Sequence, residues 1–135
     1  MNERYLYRGK TKPNGEWIYG GHMYVESLDM HIIVEHDGCK QFSDECFGFS
    51  AVIPETVGQC TGRKIGETYL FDGDIIKNST GIYIIAWDEK FLQWSVKNKK
   101  GIRCFNLNTI LTDEKRLCEI AGSEWDNPEL LEVYE

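Results

Sequence analysis

The chain has no apolar stretch long enough to cross a lipid bilayer. Its longest apolar run, from Ile82 to Trp87, has six residues, whereas a membrane-spanning helix needs about 20. The first residues are charged and polar, and they contain no apolar segment of the kind found in secretory signals. From these absences we expect a cytoplasmic protein without a membrane partner.

Cysteines are present in a pattern that does not favour disulfides. There are five of them, an odd number, scattered along the chain without a C-x-x-C pair, which favours reduced thiols. His36, Cys39 and Cys46, with His31 nearby, have the ligand types of a zinc site. Because their spacing is irregular, we expect no metal there.

Common catalytic motifs are also missing. The chain has no G-x-S-x-G or G-x-G-x-x-G pattern. Asp72 and Asp74 could supply oxygen ligands to a metal, but Tyr83 stands where a calcium loop needs Glu. We interpret these two carboxylates as part of a charged turn. We expect no catalytic residue, no metal and no cofactor, and a small metal-dependent hydrolase stays an alternative.

Positive charge is missing from the end of the chain. The formal net charge is −7, and no Lys or Arg follows Arg116, whereas six acidic residues do. The rest of the chain is almost neutral, with 16 acidic against 15 basic side chains. This balance argues against a nucleic-acid-binding surface over the whole protein but allows a local one.

One local cluster of basic residues occurs near residue 100. It consists of Lys97, Lys99, Lys100 and Arg103, with Trp94 close by in the sequence. Basic side chains beside an aromatic ring could contact phosphates and stack a base. A solvated turn between two strands is the plainer interpretation, so nucleic-acid binding is an alternative that we do not favour.

The composition favours a mainly β protein with some α-structure. Of the 135 residues, 41% are hydrophobic and 13% are aromatic, and aromatic residues favour strands. This length suits a single domain. We divide it into a small β-rich N-terminal lobe, 1–53, and a second lobe, 54–135.

In the first lobe, turn residues separate short strand-like segments. Lys12-Pro13-Asn14-Gly15 predicts a turn, because Pro fixes φ and Asn-Gly tolerates positive φ. This turn lies between predicted strands at Arg4–Arg8 and Trp17–Tyr19. Further strands are predicted at His31–Val34 and Phe47–Ile53.

The second lobe has the stronger strand pattern. Ile82–Trp87 is continuously apolar, as in a strand buried on both faces, and residues 92–96 alternate between apolar and polar. With strands at 70–76 and 102–107, this spacing predicts an SH3-like β-barrel or roll. The segment 54–68 before it is predicted to be an ordered loop.

Helix signals are confined to the end of the chain. Thr112 is a suitable N-cap for a helix at Asp113–Ala121, and Gly122 can end it. Asn127 then predicts the start of a second short helix, Pro128–Val133. Because so short a helix is not stable alone, it must dock on its own domain or on a neighbouring subunit.

Short motifs occur in a characteristic order along the chain. A Y-R-G-K element at 7–10 and a W-x-Y-G element at 17–20 come first. The middle has P-E-T-V-G-Q at 54–59 and D-G-D at 72–74, and the end has D-N-P-E-L-L at 126–131. Together they resemble the YopX family of bacteriophage and prophage proteins, from about residue 5 to 132.

The resemblance implies a phage or prophage origin in a bacterial host, but it implies no reaction because that family has no assigned activity. We therefore favour a non-enzymatic accessory protein that acts as a homo-oligomeric interaction module, with no host or phage protein identified as its partner. The motif residues that we expect to support the fold are Trp17, Gly20, Pro54, Glu55, Thr56, Gly58, Gln59, Gly62, Gly73, Asp74, Asn127 and Pro128.

Overall fold

The computed structural model describes residues 5–35 and 49–132. These residues form mainly antiparallel β-structure, which confirms the mainly β part of the predicted fold class. The chain divides into two compact units, 1–62 and 63–135, so the predicted division between residues 53 and 54 precedes the structural one. His36, Cys39 and Cys46 lie outside the described residues.

The first unit is built on five antiparallel strands. They are β1 (Tyr7–Lys10), β2 (Trp17–Val25), β3 (Met30–Glu35), β4 (Phe49–Ala51) and β5 (Gly58–Ile65), and the last residues of β5 belong to the second unit. They are neighbours in the order β4-β3-β2-β1-β5 within a six-stranded sheet, in which one further strand follows β5. Ile33, Val52 and Cys60 are fully buried and form the core of this unit.

The β1–β2 hairpin forms because its turn has the residues that a tight turn needs. Gly15 has a φ of +67°, which glycine adopts without steric cost, and its N–H donates to the Thr11 carbonyl over 2.9 Å. The strands then pair, with Lys10 opposite Trp17. The hairpin predicted from the turn chemistry is confirmed.

The prediction of an ordered loop over 54–68 is wrong for most of its length. A single 3₁₀ turn covers Pro54–Thr56, and the chain then continues as β5, with Gly58 opposite Arg8 of β1. The glycines of this segment indicated a loop. Pairing with a neighbouring strand overrides that local preference.

The second unit contains the strand β6 (Thr68–Phe71), a five-stranded antiparallel sheet and a short helix. The sheet consists of β7 (Asp74–Asn78), β8 (Gly81–Asp88), β9 (Gln93–Lys97), β10 (Arg103–Asn106) and β11 (Glu119–Ser123), in the order β10-β9-β8-β7-β11. The helix α1 (Leu107–Leu111) follows β10. No helix in the described residues is long and apolar enough to cross a membrane.

The predicted closed barrel is not formed. In the part of the chain that the structure describes, β10 and β11 lie at opposite ends of an open sheet. Strand number and spacing predict a sheet, but closure also depends on strand tilt and stagger. The sheet is covered on one face by a core formed by Leu70, Ile76, Tyr83, Ile85, Val96, Leu107 and Ile110.

The predicted helix at Asp113–Ala121 is also wrong. Its second half forms β11, which pairs with β7 and places Ile120 opposite Ile76. Thr112 ends α1 instead of starting a helix. The second predicted helix is found as a 3₁₀ turn at Pro128–Leu131.

Candidate functional site

One face of the first sheet carries exposed apolar side chains. Successive residues of a strand point to opposite faces, so Tyr19, Gly21 and Met23 of β2 share one face. Gly21 pairs with Val34 of β3, and Val34 pairs with Phe49 of β4. We call Tyr19, Met23, Val34 and Phe49 the apolar face; each is 41–55% exposed.

Gly21 lies at the centre of the apolar face, between Tyr19 and Met23 along β2. No atom lies within 4 Å of the position that a Cβ would take at Gly21, so the glycine leaves a hollow between the surrounding side chains. Contiguous exposed apolar surface marks interaction sites on soluble proteins.

Positive charge borders the apolar face. Arg8 pairs with Tyr19, and Lys10 pairs with Trp17. The guanidinium carbon of Arg8 lies 4.3 Å from the centre of the Trp17 ring, and Lys10 Nζ lies 5.3 Å from it. Cation–π contacts with Trp17 hold both side chains at this edge. Arg8 is only 6% exposed, so Lys10 is the charge that reaches the surface.

The opposite face of the same sheet holds two histidines in contact. His22 Nε2 and His31 Nδ1 are 2.9 Å apart, and their rings are nearly parallel, with centroids 5.1 Å apart. Tyr7 and Tyr24 lie beside them. Burial lowers the pKa of His22, and the charge of His31 lowers it further. The hydrogen bond to Asp29 raises the pKa of the Tyr24 hydroxyl.

The histidine contact makes stability depend on pH. Because the folded-state pKa of His22 lies below its ordinary value of 6.5, the unfolded chain takes up the proton first as the pH falls. We therefore expect the free energy of unfolding to decrease below about pH 6.5. Urea unfolding at about pH 7.5 and pH 5.5 measures the difference in the free energy of unfolding between the two conditions. This difference should be smaller in the His22→Gln variant. An unchanged difference in the variant would contradict the assignment to His22.

The basic hairpin between β9 and β10 is closed by Asn98. Its side-chain oxygen accepts the N–H groups of Lys100 and Ile102 over 2.9 and 3.0 Å, and Gly101 adopts a φ of +81°. This turn leaves Lys99 and Lys100 exposed at the tip.

The other members of the predicted nucleic-acid set lie on different faces. Lys97 and Arg103 pair with each other, and Arg103 forms an ion pair with Asp88 and stacks over Phe91. Trp94 stands three residues before Lys97 in β9, so it faces the other side of the sheet, where it packs against the core. The structure does not bring Trp94 together with these two cations, and nucleic-acid binding through the set stays a prediction.

The predicted charged turn at 72–74 is held by hydrogen bonds to the backbone. Asp74 is 5% exposed, and its carboxylate accepts the Phe71 N–H over 2.7 Å. Gly73 has a φ of +91°; its N–H donates to the Ile85 carbonyl, and its carbonyl accepts the Glu124 N–H. No cluster of three or more possible metal-ligating side chains occurs in residues 5–35 and 49–132.

The middle motif joins the 3₁₀ turn to β1. The Thr56 hydroxyl donates to the Ile53 carbonyl over 2.6 Å and accepts the Lys10 N–H over 2.9 Å. Pro54 is the first residue of the turn, while Glu55 is exposed. Gly58 and Gln59 of the motif begin β5, opposite Arg8 and Tyr7 of β1. Gly62, three residues later, has a φ of +83°.

The closing motif ties the end of β11 to the 3₁₀ turn. Asn127 Oδ1 accepts the Ser123 N–H over 3.3 Å, and the Asn127 N–H donates to the Ser123 carbonyl over 2.8 Å. Pro128 follows as the first residue of the 3₁₀ turn. These contacts hold the path of the chain between β11 and the 3₁₀ turn.

Comparison with protein-family models shows to which family the chain belongs. The model described as YopX protein matches residues 6–132. The chain belongs to the YopX family. Comparison with curated proteins and with solved structures gives no match. The YopX motifs at 54–59, 72–74 and 126–131 thus lie in a matched region that covers nearly the whole chain.

Two features of this YopX family chain could not be predicted from its sequence. The first is the contact between His22 and His31, which lie on neighbouring strands. The His-x-Tyr spacing at 22–24 places His22 and Tyr24 on one face of a strand, but it does not identify His31 as the partner. Arg63 and Asn108 are hydrogen-bonded although they are 45 residues apart, and no local pattern indicates such a contact.

Proposed function

We propose that this YopX family protein is a non-enzymatic interaction protein that assembles with copies of itself through the apolar face of its first unit. The observation that carries the proposal is the exposure of Tyr19, Met23, Val34 and Phe49 around the hollow at Gly21. Burying such side chains supplies the main driving force for protein association. The phage or prophage origin implied by the family resemblance and the cytoplasmic location expected from the composition belong to the same proposal.

A second copy is the occupant that the charge distribution favours. Lys10 borders the apolar face beside Trp17, while residues 119–135 carry six acidic side chains and no basic one. Charge complementarity steers and orders an interface. A second copy therefore brings its acidic segment to the basic edge. It also brings the half-buried Leu130 and Leu131 to the apolar face.

A charge placed on the apolar face is expected to weaken assembly. Val34→Glu and Phe49→Glu should each lower the association constant at least about 10-fold, because a carboxylate would lose water in the interface. Sedimentation velocity over a range of protein concentrations measures the constant. Raising the salt concentration should weaken the wild-type assembly as well, since its charges are at the rim.

The matched control is Leu92→Glu. Leu92 is 68% exposed and lies between β8 and β9 in the second unit, outside both the apolar face and the acidic segment 119–135. It should leave association unchanged, and circular dichroism should show that all three variants keep the wild-type fold. A wild-type protein that stays monomeric at about 100 μM, a concentration at which even weak specific dimers form, would overturn the proposal.

A further inference from the structure

A second candidate site lies within the second unit and is independent of the apolar face. A cavity of about 400 Å³ opens there, in the size range of small-molecule sites. It is bounded by the side of β9, the start of α1 and the part of β5 that belongs to this unit. The residues that line it are Arg63, Gln93, Trp94, Asn106, Leu107, Asn108 and Thr109.

Trp94 gives this cavity an aromatic wall. It is half-buried, and it packs against the core on one side. The Trp87 ring meets it edge to face, with ring centroids 5.4 Å apart and planes at 77°, an arrangement that aromatic pairs favour. The orientation of the Trp94 ring is therefore set before any ligand arrives.

The polar side chains of the lining offer hydrogen-bond donors and acceptors. Asn108 Oδ1 accepts a hydrogen bond from Arg63 Nη1, and Asn106 Oδ1 accepts the Thr109 N–H over 2.7 Å. Each amide oxygen keeps a second lone pair, so both side chains can still accept a hydrogen bond as well as donate through their N–H₂ groups. Arg63 has a fork of five N–H donors, which suits the bidentate binding of phosphate.

The charge around the cavity fits an anionic ligand. The lining contains one cation, Arg63, and no Asp or Glu. Residues 63–118 as a whole have ten Lys and Arg against seven Asp and Glu. Because the lining carries a guanidinium and no carboxylate, it favours a phosphorylated ligand over a neutral sugar.

We infer that this cavity binds a single nucleotide, with its base stacked on Trp94 and its phosphate held by Arg63. Stacking on an aromatic ring accepts any base, because every base has a π-face. The Asn106 and Asn108 amides add donors for the acceptor atoms of base or phosphate. This site uses Trp94 on its own face of the sheet and does not need the cations of the 97–103 hairpin.

Isothermal titration calorimetry with nucleoside 5′-monophosphates tests the inference. We expect the wild-type protein to bind them and Arg63→Gln to bind at least about 10-fold more weakly, since it loses a charge-assisted phosphate contact. Arg63 is exposed, so the variant should fold, and its thermal melting checks this. Arg63→Lys should restore part of the affinity, because it keeps the charge but loses the planar fork.

Two controls show whether the nucleotide binds in this cavity or at the basic hairpin. Lys99→Gln with Lys100→Gln removes the exposed charges of the hairpin tip and should leave nucleotide binding unchanged. The wild-type protein should bind the unphosphorylated nucleoside more weakly than the nucleotide. The affinity for this nucleoside should be the same in the wild type and in Arg63→Gln. The inference is overturned if the wild-type protein binds no nucleotide at about 10 mM, a concentration at which any specific site would be occupied. It is also overturned if the affinity is unchanged in Arg63→Gln, or if the protein prefers a neutral sugar.

Discussion

Replacing Gly20 with alanine is expected to lower the free energy of unfolding of the first unit by more than about 3 kcal/mol or to prevent its folding. A Cβ at Gly20 would overlap the backbone carbonyl of Val34 in the neighbouring strand. That carbonyl belongs to the β2–β3 ladder, where Gly20 pairs with Glu35, so it cannot move aside without loss of strand pairing. A loss of this size is a large part of the stability of a small protein.

The adjacent residue provides the matched control for Gly20→Ala. Gly21 lies in the same strand but faces the other side, and nothing lies within 4 Å of the Cβ position there. Gly21→Ala should change the free energy of unfolding by no more than about 0.5 kcal/mol. Urea unfolding followed by circular dichroism, with hydrogen exchange of the β2 and β3 amides, compares the two variants. Equal effects of the two substitutions would show that backbone entropy, and not the overlap with Val34, determines the cost.

Replacing Gly122 with alanine is expected to have the second large effect, about 3 kcal/mol or more in the second unit. Gly122 has a φ of +148°, a conformation that residues with a Cβ adopt only under strain. Its Cβ would also overlap the side-chain amide of Asn127. Asn127 would have to give up its hydrogen bond to the Ser123 N–H, so strain and loss of a contact add together.

Gly101→Ala separates these two contributions. Gly101 has a φ of +81°, but nothing lies within 4 Å of the Cβ position. It should therefore show the strain alone, of about 1–2 kcal/mol. Thermal unfolding of both variants gives the comparison, and a Gly122→Ala variant no less stable than Gly101→Ala would rule out the predicted overlap with Asn127.

Local chemistry was enough to predict the elements whose partners lie close in sequence. The turn before Trp17 identified the β1–β2 hairpin, and the apolar run Ile82–Trp87 identified β8. The errors fell where a distant partner determines the conformation. Helix-capping signals border residues 113–121, yet Glu119–Ser123 forms a strand because β7 offers an edge about 45 residues earlier in the chain.

The candidate sites show the same limit. Trp94 was grouped with Lys97 because the two are close in sequence, but residues three apart in a strand face opposite sides. The cavity that Trp94 lines depends on Arg63, which no local pattern connects to β9. The apolar face needs the register of three strands, with Gly21, Val34 and Phe49 side by side, and the sequence contains no direct record of that register.

The pairing of β11 with β7 has a consequence for synthesis of the protein. Strand β7 pairs on one side with β8, which follows it immediately, but its other side must wait for Glu119–Ser123 to leave the ribosome. Until then β7 presents an open edge that can pair with another chain. The Gly73 carbonyl also gains its partner, the Glu124 N–H, at this late stage. Nascent chains that stall before residue 119 would therefore be prone to aggregate, whereas the first unit has all of its strand partners far earlier.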